Sequence, residues 1–177
     1  LTKIFFALYN FSSVAAGAFM GFVMQPMVVV GAHWSVVPIS INNVATLGYD
    51  VIMPLVGAAV YAQSGAALAV GCITKDKKKK SMALQASLTA ALGVTEPALF
   101  GVNVPLIRPM IAACLAGSLG GALVGFAGTT CNAFAFPSFL TCVAFTGPGF
   151  IAFLISMFMG FVLGFLFTIV QKKHIEL

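Results

Sequence analysis

Hydrophobic positions in this chain run in long blocks, and polar ones are gathered into a few short islands. Ile4 to Val30, Val51 to Thr74, Pro109 to Gly128 and Pro148 to Val170 are each long enough to cross a bilayer as a helix, which takes about 20 mostly apolar residues. Pro26 marks a kink or stop near the far end of the first block. None of the blocks alternates strictly between polar and apolar, so an outer-membrane barrel is excluded. Between the first two blocks, Gly31 to Asn43 is apolar on average but dotted with polar groups and does not read as a clean span. Lys75 to Lys80 is the one strongly hydrophilic stretch. After it, Ser81 to Leu92 predicts a helix of roughly 18 Å, too short to cross, that breaks at Gly93-Val94-Thr95-Glu96-Pro97. Residues 129–147 are irregular and rich in Thr, Asn, Phe and Pro.

The basic islands orient this pattern. By the positive-inside rule the Lys75–Lys80 loop is cytoplasmic, and Lys172 and Lys173 place the C-terminus on the same side. An even number of crossings must join them. Pro109–Gly128 and Pro148–Val170 supply two, which leaves residues 81–107 and 129–147 to enter the membrane and return on the same side. Non-helical backbone at that depth is tolerated only where protein or a wet cavity receives it. The expected fold is therefore an all-α integral membrane protein with about four transmembrane helices and two re-entrant helical hairpins. Gly117, Gly121 and Gly125 recur on one helical face, and Gly17/Gly21 and Gly160/Gly164 repeat the spacing; such small-residue stripes let helix backbones approach closely.

Composition sharpens the exclusion of a soluble fold. Of 177 residues only 13 are charged, or 7%, against 60% hydrophobic; soluble domains carry roughly 25% charged residues. The net charge of +5 sits at span edges, as juxtamembrane lysine does, and does not point to nucleic acid. Cys72, Cys114, Cys131 and Cys142 have no metal-binding spacing and read as small buried hydrophobes. The apolar run after Lys3 continues too far for a signal peptide. A chain that begins at Leu1, directly on a hydrophobic segment, is expected to be a piece of a longer protein.

Few side chains are left to carry chemistry. Glu96 is the only acid between Asp76 and Glu176, and it falls where a short helix is broken. A carboxylate is expensive inside a membrane and is kept there mainly to line a substrate or ion path. It can accept hydrogen bonds from sugar hydroxyls, take up a coupling proton, or pair structurally with Arg108. His33 beside Trp34 sets a polar ring next to a flat apolar face, which suits a sugar, although a lone histidine can equally be a satisfied core residue. Asn42 and Asn43 offer amide contacts to a polyol, or cap a helix beginning near Thr46. Lys77 to Lys80 read as a topological anchor, with lipid headgroups or a cytoplasmic partner as the sharper alternative.

Two stretches say more. GVTEPALFGVNVPLIRP (Gly93 to Pro109) closely resembles the G-[IV]-T-E-P-A-[IVL]-[FY]-G-V signature of enzyme IIC, the membrane domain of bacterial sugar phosphotransferase systems. GAHWSVVPISINN (Gly31 to Asn43), followed by LGYDVIMPL (Leu47 to Leu55), resembles the upstream segment of the β-glucoside branch, near the sucrose and trehalose transporters, and FAFPSFLT (Phe134 to Thr141) resembles that branch's second hairpin.

The resemblance implies that Glu96 and His33 contact the sugar, with Thr95, Asn103, Asn42 and Asn43 as further substrate-binding candidates. It implies a sugar held at the tips of two re-entrant hairpins, in a substrate domain that moves like an elevator against a dimerisation domain. It also implies translocation across the cytoplasmic membrane coupled to phosphorylation of the sugar by a phosphocysteine on an enzyme IIB domain. Residues 1–177 correspond to the C-terminal, substrate-binding part of enzyme IIC, and none of the four cysteines sits in a phosphocysteine motif. The implied partners are the sugar, the IIB domain, the N-terminal half of enzyme IIC, a second copy of the full-length protein and membrane lipid; no catalytic residue, metal or cofactor is implied for this chain. Two other readings stand beside it: a proton- or ion-coupled transporter using Glu96, and a non-functional membrane fragment.

Overall fold

The structure is a computed structural model that describes residues 2–174. The helices are α1 (Thr2–Phe11), α2 (Ser13–Val29), α3 (Val37–Leu47), α4 (Ile52–Ile73), α5 (Lys77–Ala91), α6 (Glu96–Ala98), α7 (Val104–Leu106), α8 (Arg108–Ala127) and α9 (Phe150–Val170). Among the described residues there is no named strand; the one β-type contact is an isolated antiparallel bridge between Asp50 and Cys131. Helices α4, α8 and α9 are long and apolar enough to cross a membrane, and α2 is a shorter apolar helix of 17 residues.

Helix α4 is the axis of the assembly, with α2, α5, α8 and α9 packed around it. Eighteen of its 22 residues are buried. Its sequence explains why: Gly57, Ala58, Ala59, Ala62, Gly65, Ala66 and Ala69 offer little side-chain bulk in any direction, so four neighbours can lie against one helix. In lipid, where no hydrophobic force drives helices together, close backbone packing of this kind is a main source of association. Helix α9 is the opposite case, with Ile151, Phe158 and Val170 turned outward and only 28% of its most apolar stretch buried.

The glycine stripes expected from the sequence are where helices touch. A Cβ added at Gly17 would meet the carbonyl oxygen of Gly121, one at Gly21 that of Gly117, and one at Gly125 that of Ser13. Gly160 and Gly164 of α9 lie in the same way against Ala58 and Ala62 of α4.

Four local expectations are corrected. The first apolar block is not one helix but two, because Ser12 is extended (φ −160°, ψ 112°) and its hydroxyl caps α2 by accepting from the Ala15 amide at 3.2 Å. The basic island is not a loop from Lys75 to Lys80: Asp76 accepts from the amides of Lys78 (2.7 Å) and Lys79 (3.4 Å), so α5 starts at Lys77 rather than at Ser81. An aspartate there offsets the lysines that crowd the positive end of the helix dipole. Asn42 and Asn43 do not cap a helix near Thr46 but lie inside α3, which ends at Gly48 in a left-handed conformation (φ 80°). All four cysteines are free, yet only Cys114 and Cys131 are buried; Cys72 is exposed and Cys142 half-buried.

Helix α5 folds back against α4 in antiparallel register. The Tyr61 hydroxyl donates to the Ala91 carbonyl (3.1 Å), Ser64 Oγ to the Ser87 carbonyl (2.8 Å), and Gly71 lies against Ala83 and Leu84. Between α8 and α9 the chain is irregular except for a single 3-10 turn, Cys142–Phe145. It is pinned at one end by the Asp50–Cys131 bridge (2.8 and 2.9 Å) and touches the end of α5 through the Phe139 amide and the Ala91 carbonyl (3.4 Å).

Candidate functional site

The site lies where α5 ends. Gly93 takes φ +100°, a conformation L side chains rarely adopt, and a Cβ there would stand 2.9 Å from that of Ser138. That turn brings Thr95 inward and buried, and starts α6 at Glu96. The helix then widens into a π turn over Leu99–Asn103 before α7, a local form frequent at functional sites.

Three other segments face this break. The 3-10 turn Ala32–Ser35, entered through Gly31 in a left-handed conformation, carries His33 and Trp34 with ring centroids 5.5 Å apart. Phe136, from the irregular segment, meets Trp34 edge-on at 6.2 Å and Phe134 at 5.4 Å. The C-terminal half of α2 adds Met24, Gln25 and Val28. Together they enclose a cavity of about 90 Å³ that His33, Trp34, Thr95, Glu96 and Phe136 all line. Its lining combines two aromatic rings with a carboxylate, an imidazole and an amide. Such a combination can take a ring with one apolar face and a rim of hydroxyls.

Two polar atoms at this site are buried with no hydrogen-bond partner, His33 Nδ1 and Gln25 Oε1. Glu96 is exposed, and among the described residues neither it nor Arg108 forms an ion pair, so the structural Glu96–Arg108 pairing is not made.

Of the residues singled out from sequence, His33, Thr95 and Glu96 come together on the cavity, although more than 60 positions separate the first from the other two in the chain. The three asparagines do not line it. Asn42 is exposed and its carbonyl accepts from Thr46 Oγ1 (2.7 Å). Asn43 donates to Asp50 Oδ1 (2.8 Å), and the other oxygen of that fully buried carboxylate accepts from the Met53 amide (2.9 Å). Asn103 is buried behind the break and donates to the carbonyl (3.1 Å) and side-chain oxygen of Gln63. The bonds of Asn43, through Asp50, and of Asn103 tie α3 and the π turn to α4.

Residues 1–117 match the family described as "Phosphotransferase system, EIIC". The chain belongs to that EIIC family. Among its relatives, a β-glucoside-specific EIIBCA component of Dickeya chrysanthemi is 46% identical over 131 residues, 74% of this chain and 21% of that protein. A sucrose-specific EIIBC component of Vibrio alginolyticus is 41% identical over 120 residues, 66% of this chain and 25% of the relative. A second sucrose-specific EIIBC component, from Bacillus subtilis, is 35% identical over 168 residues, 93% of this chain and 36% of the relative. The EIIC chain thus spans between a fifth and just over a third of the length of these relatives. No solved structure matches it. Both halves of the cavity, the His33 turn and the Thr95–Glu96 break, fall inside the residues matched to EIIC, whereas Phe136 lies beyond them.

Sequence reasoning passed over Gln25. The signal was present: it is the one amide in a helix of otherwise apolar or small residues, directly before Pro26.

Proposed function

We propose that this chain forms the sugar-binding part of a phosphotransferase translocator, of the β-glucoside or sucrose type that its relatives are named for. In this reading the sugar's apolar face lies on Trp34 and Phe136, while Glu96, Thr95 and His33 hold its hydroxyls. The translocator presents the bound sugar to the phosphocysteine of a EIIB domain, and relatives that join EIIB and EIIC in one protein support that partnership. A carboxylate without a cation beside it keeps its acceptor oxygens available, and its hydrogen bonds to hydroxyls are of the stronger, charge-assisted kind. The single observation that carries the proposal is the convergence of His33, Thr95 and Glu96 on one aromatic-walled cavity.

Residues 81–107 and 129–147 form two re-entrant segments whose tips meet at the cavity; the Lys75–Lys80 stretch and the C-terminus face the cytoplasm; the full-length protein works as a homodimer in lipid, with the N-terminal half of EIIC completing the transport path. At about 90 Å³ the cavity is far below the roughly 300–1,000 Å³ of ligand pockets. Sugar entry therefore requires the Trp34 and Phe136 segments to part from the α5–α6 break.

The test is sugar affinity and melting temperature measured on the same variants. Glu96→Gln keeps the shape and one acceptor but loses the charge, and should weaken methyl β-glucoside or sucrose binding roughly 10- to 150-fold, the worth of charge-assisted hydrogen bonds. His33→Ala should weaken it too, with membrane insertion unchanged. Unaltered affinity in both variants would remove the cavity as the sugar site. Uptake that collapses with an uncoupler but persists without phosphoenolpyruvate would move Glu96 to a proton-coupled reading.

A further inference from the structure

Gln25 is 1% exposed, lines the cavity that holds His33 and Glu96, and its Oε1 has no hydrogen-bond partner. Buried amide oxygens are rarely left so, because the group gives up its bonds to water on burial and receives nothing back. The helix around it offers no compensation: from Ser13 to Val29 every other residue except Ser13 is apolar or glycine, and Gln25 is followed by Pro26, whose nitrogen has no proton to give. A leucine or methionine would pack the same space against Met24 and Val28 without that penalty. His33 Nδ1 is buried and unpartnered on the same cavity. Two orphaned polar atoms on the lining of one cavity are positions that the polar groups of a ligand would answer.

We infer that Gln25 is a specificity-determining residue of this site, its amide oxygen accepting a hydrogen bond from one particular hydroxyl of the bound sugar. The inference rests on the sugar reading above and adds a residue from α2, an element outside both the signature at Gly93–Pro109 and the His33 turn. The amide discriminates in a way a carboxylate does not. It is a neutral acceptor carried on the backbone of α2, so a sugar lacking the matching hydroxyl, or carrying it in the opposite configuration, leaves Oε1 without a partner. Because a buried amide oxygen without a partner costs stability, removing it should have opposite effects on stability and on binding.

The experiment compares wild type with Gln25→Met, using methyl β-glucoside, sucrose and the monodeoxy derivatives of methyl β-glucoside as probes. Expected are a melting temperature equal to or above wild type without sugar, about tenfold weaker binding of the parent sugar from loss of one neutral hydrogen bond, and no further loss for one of the deoxy derivatives. That last result couples Gln25 to a single hydroxyl, as a double-mutant cycle does. If Gln25→Met does not insert, Gln25→Asn, shorter by one methylene, enters the same cycle. A lower melting temperature with all probes weakened equally makes Gln25 a packing residue and overturns the inference. Normal binding by Gln25→Met alongside weakened binding by Glu96→Gln overturns it while leaving the sugar site standing. If wild type binds none of the probes, the sugar reading itself fails and takes this inference with it.

Discussion

Placing a methyl group on the α2–α8 seam tests whether glycine contacts outside the cavity lining fix its shape. A Cβ at Gly121 would meet the Gly17 carbonyl and stand 3.0 Å from the Leu55 carbonyl oxygen, and one at Gly17 would meet the Gly121 carbonyl. Ordinary contact begins near 3.4 Å, so Gly121→Ala forces the helices apart by roughly 1 Å, a gap that forfeits a quarter to a half of each dispersion contact along the seam. Overpacking of this kind costs about 1–3 kcal/mol, offset by about 0.5–1 kcal/mol from replacing a mid-helix glycine with alanine. A net loss of about 1–2 kcal/mol is expected. Gly17→Ala should cost a similar amount, and the double variant less than the sum, because the first substitution has already opened the space for the second. Gly101→Ala is the control: nothing lies nearer than Met82 Sδ at 3.9 Å, so it should leave stability unchanged or raised. Thermal melting in detergent reads the effect, and the fluorescence of Trp34, the single tryptophan, reports at the cavity itself. Since α2 carries Met24 and Gln25, sugar affinity should fall with stability, a misplacement of about 1 Å being enough to weaken a positioned contact. Wild-type stability in Gly121→Ala, or strict additivity in the double variant, would refute the seam.

Three further outcomes follow from particular contacts. Asn43→Leu removes the donor to buried Asp50, so it should lower stability by about 1.5–3 kcal/mol, seen as a lower melting temperature; no change would mean the carboxylate is solvated. Gly93→Ala imposes a side chain at φ +100° against Ser138, and should cost about 1–3 kcal/mol and weaken sugar binding, with equal melting temperatures counting against the turn. Cysteines introduced at positions 77–80 and 172–173 should resist an impermeant thiol reagent applied to intact cells, and efficient labelling from outside would invert the proposed orientation.

Long apolar blocks and scarce charge are local properties, and they were enough to establish from sequence a helical, membrane-embedded chain; the EIIC family was legible only through the motif at Gly93–Pro109 and the segment at Gly31–Asn43. The break at Gly93–Pro97 was equally legible, since Gly and Pro constrain their own backbone whatever surrounds them. The glycine spacing in α2, α8 and α9 marked which faces would be close, but not which helix each would meet; only packing decided that Gly17 and Gly21 face Gly121 and Gly117. Capping lay at the edge of legibility. Ser12 shifts a helix boundary through one side-chain hydrogen bond and Asp76 through two, too small a signal to stand out against a hydrophobic average. The asparagines show the limit most clearly. A polar side chain in an apolar run can face a ligand or satisfy a neighbour, and the sequence does not say which: Asn43 and Asn103 found Asp50 and Gln63 across 7 and 40 positions. Gln25 found no partner at all and came to the cavity beside His33 and Glu96. Whether a buried polar group is answered depends on what distant segments place within about 3 Å of it, and that distance exists only once the chain is folded.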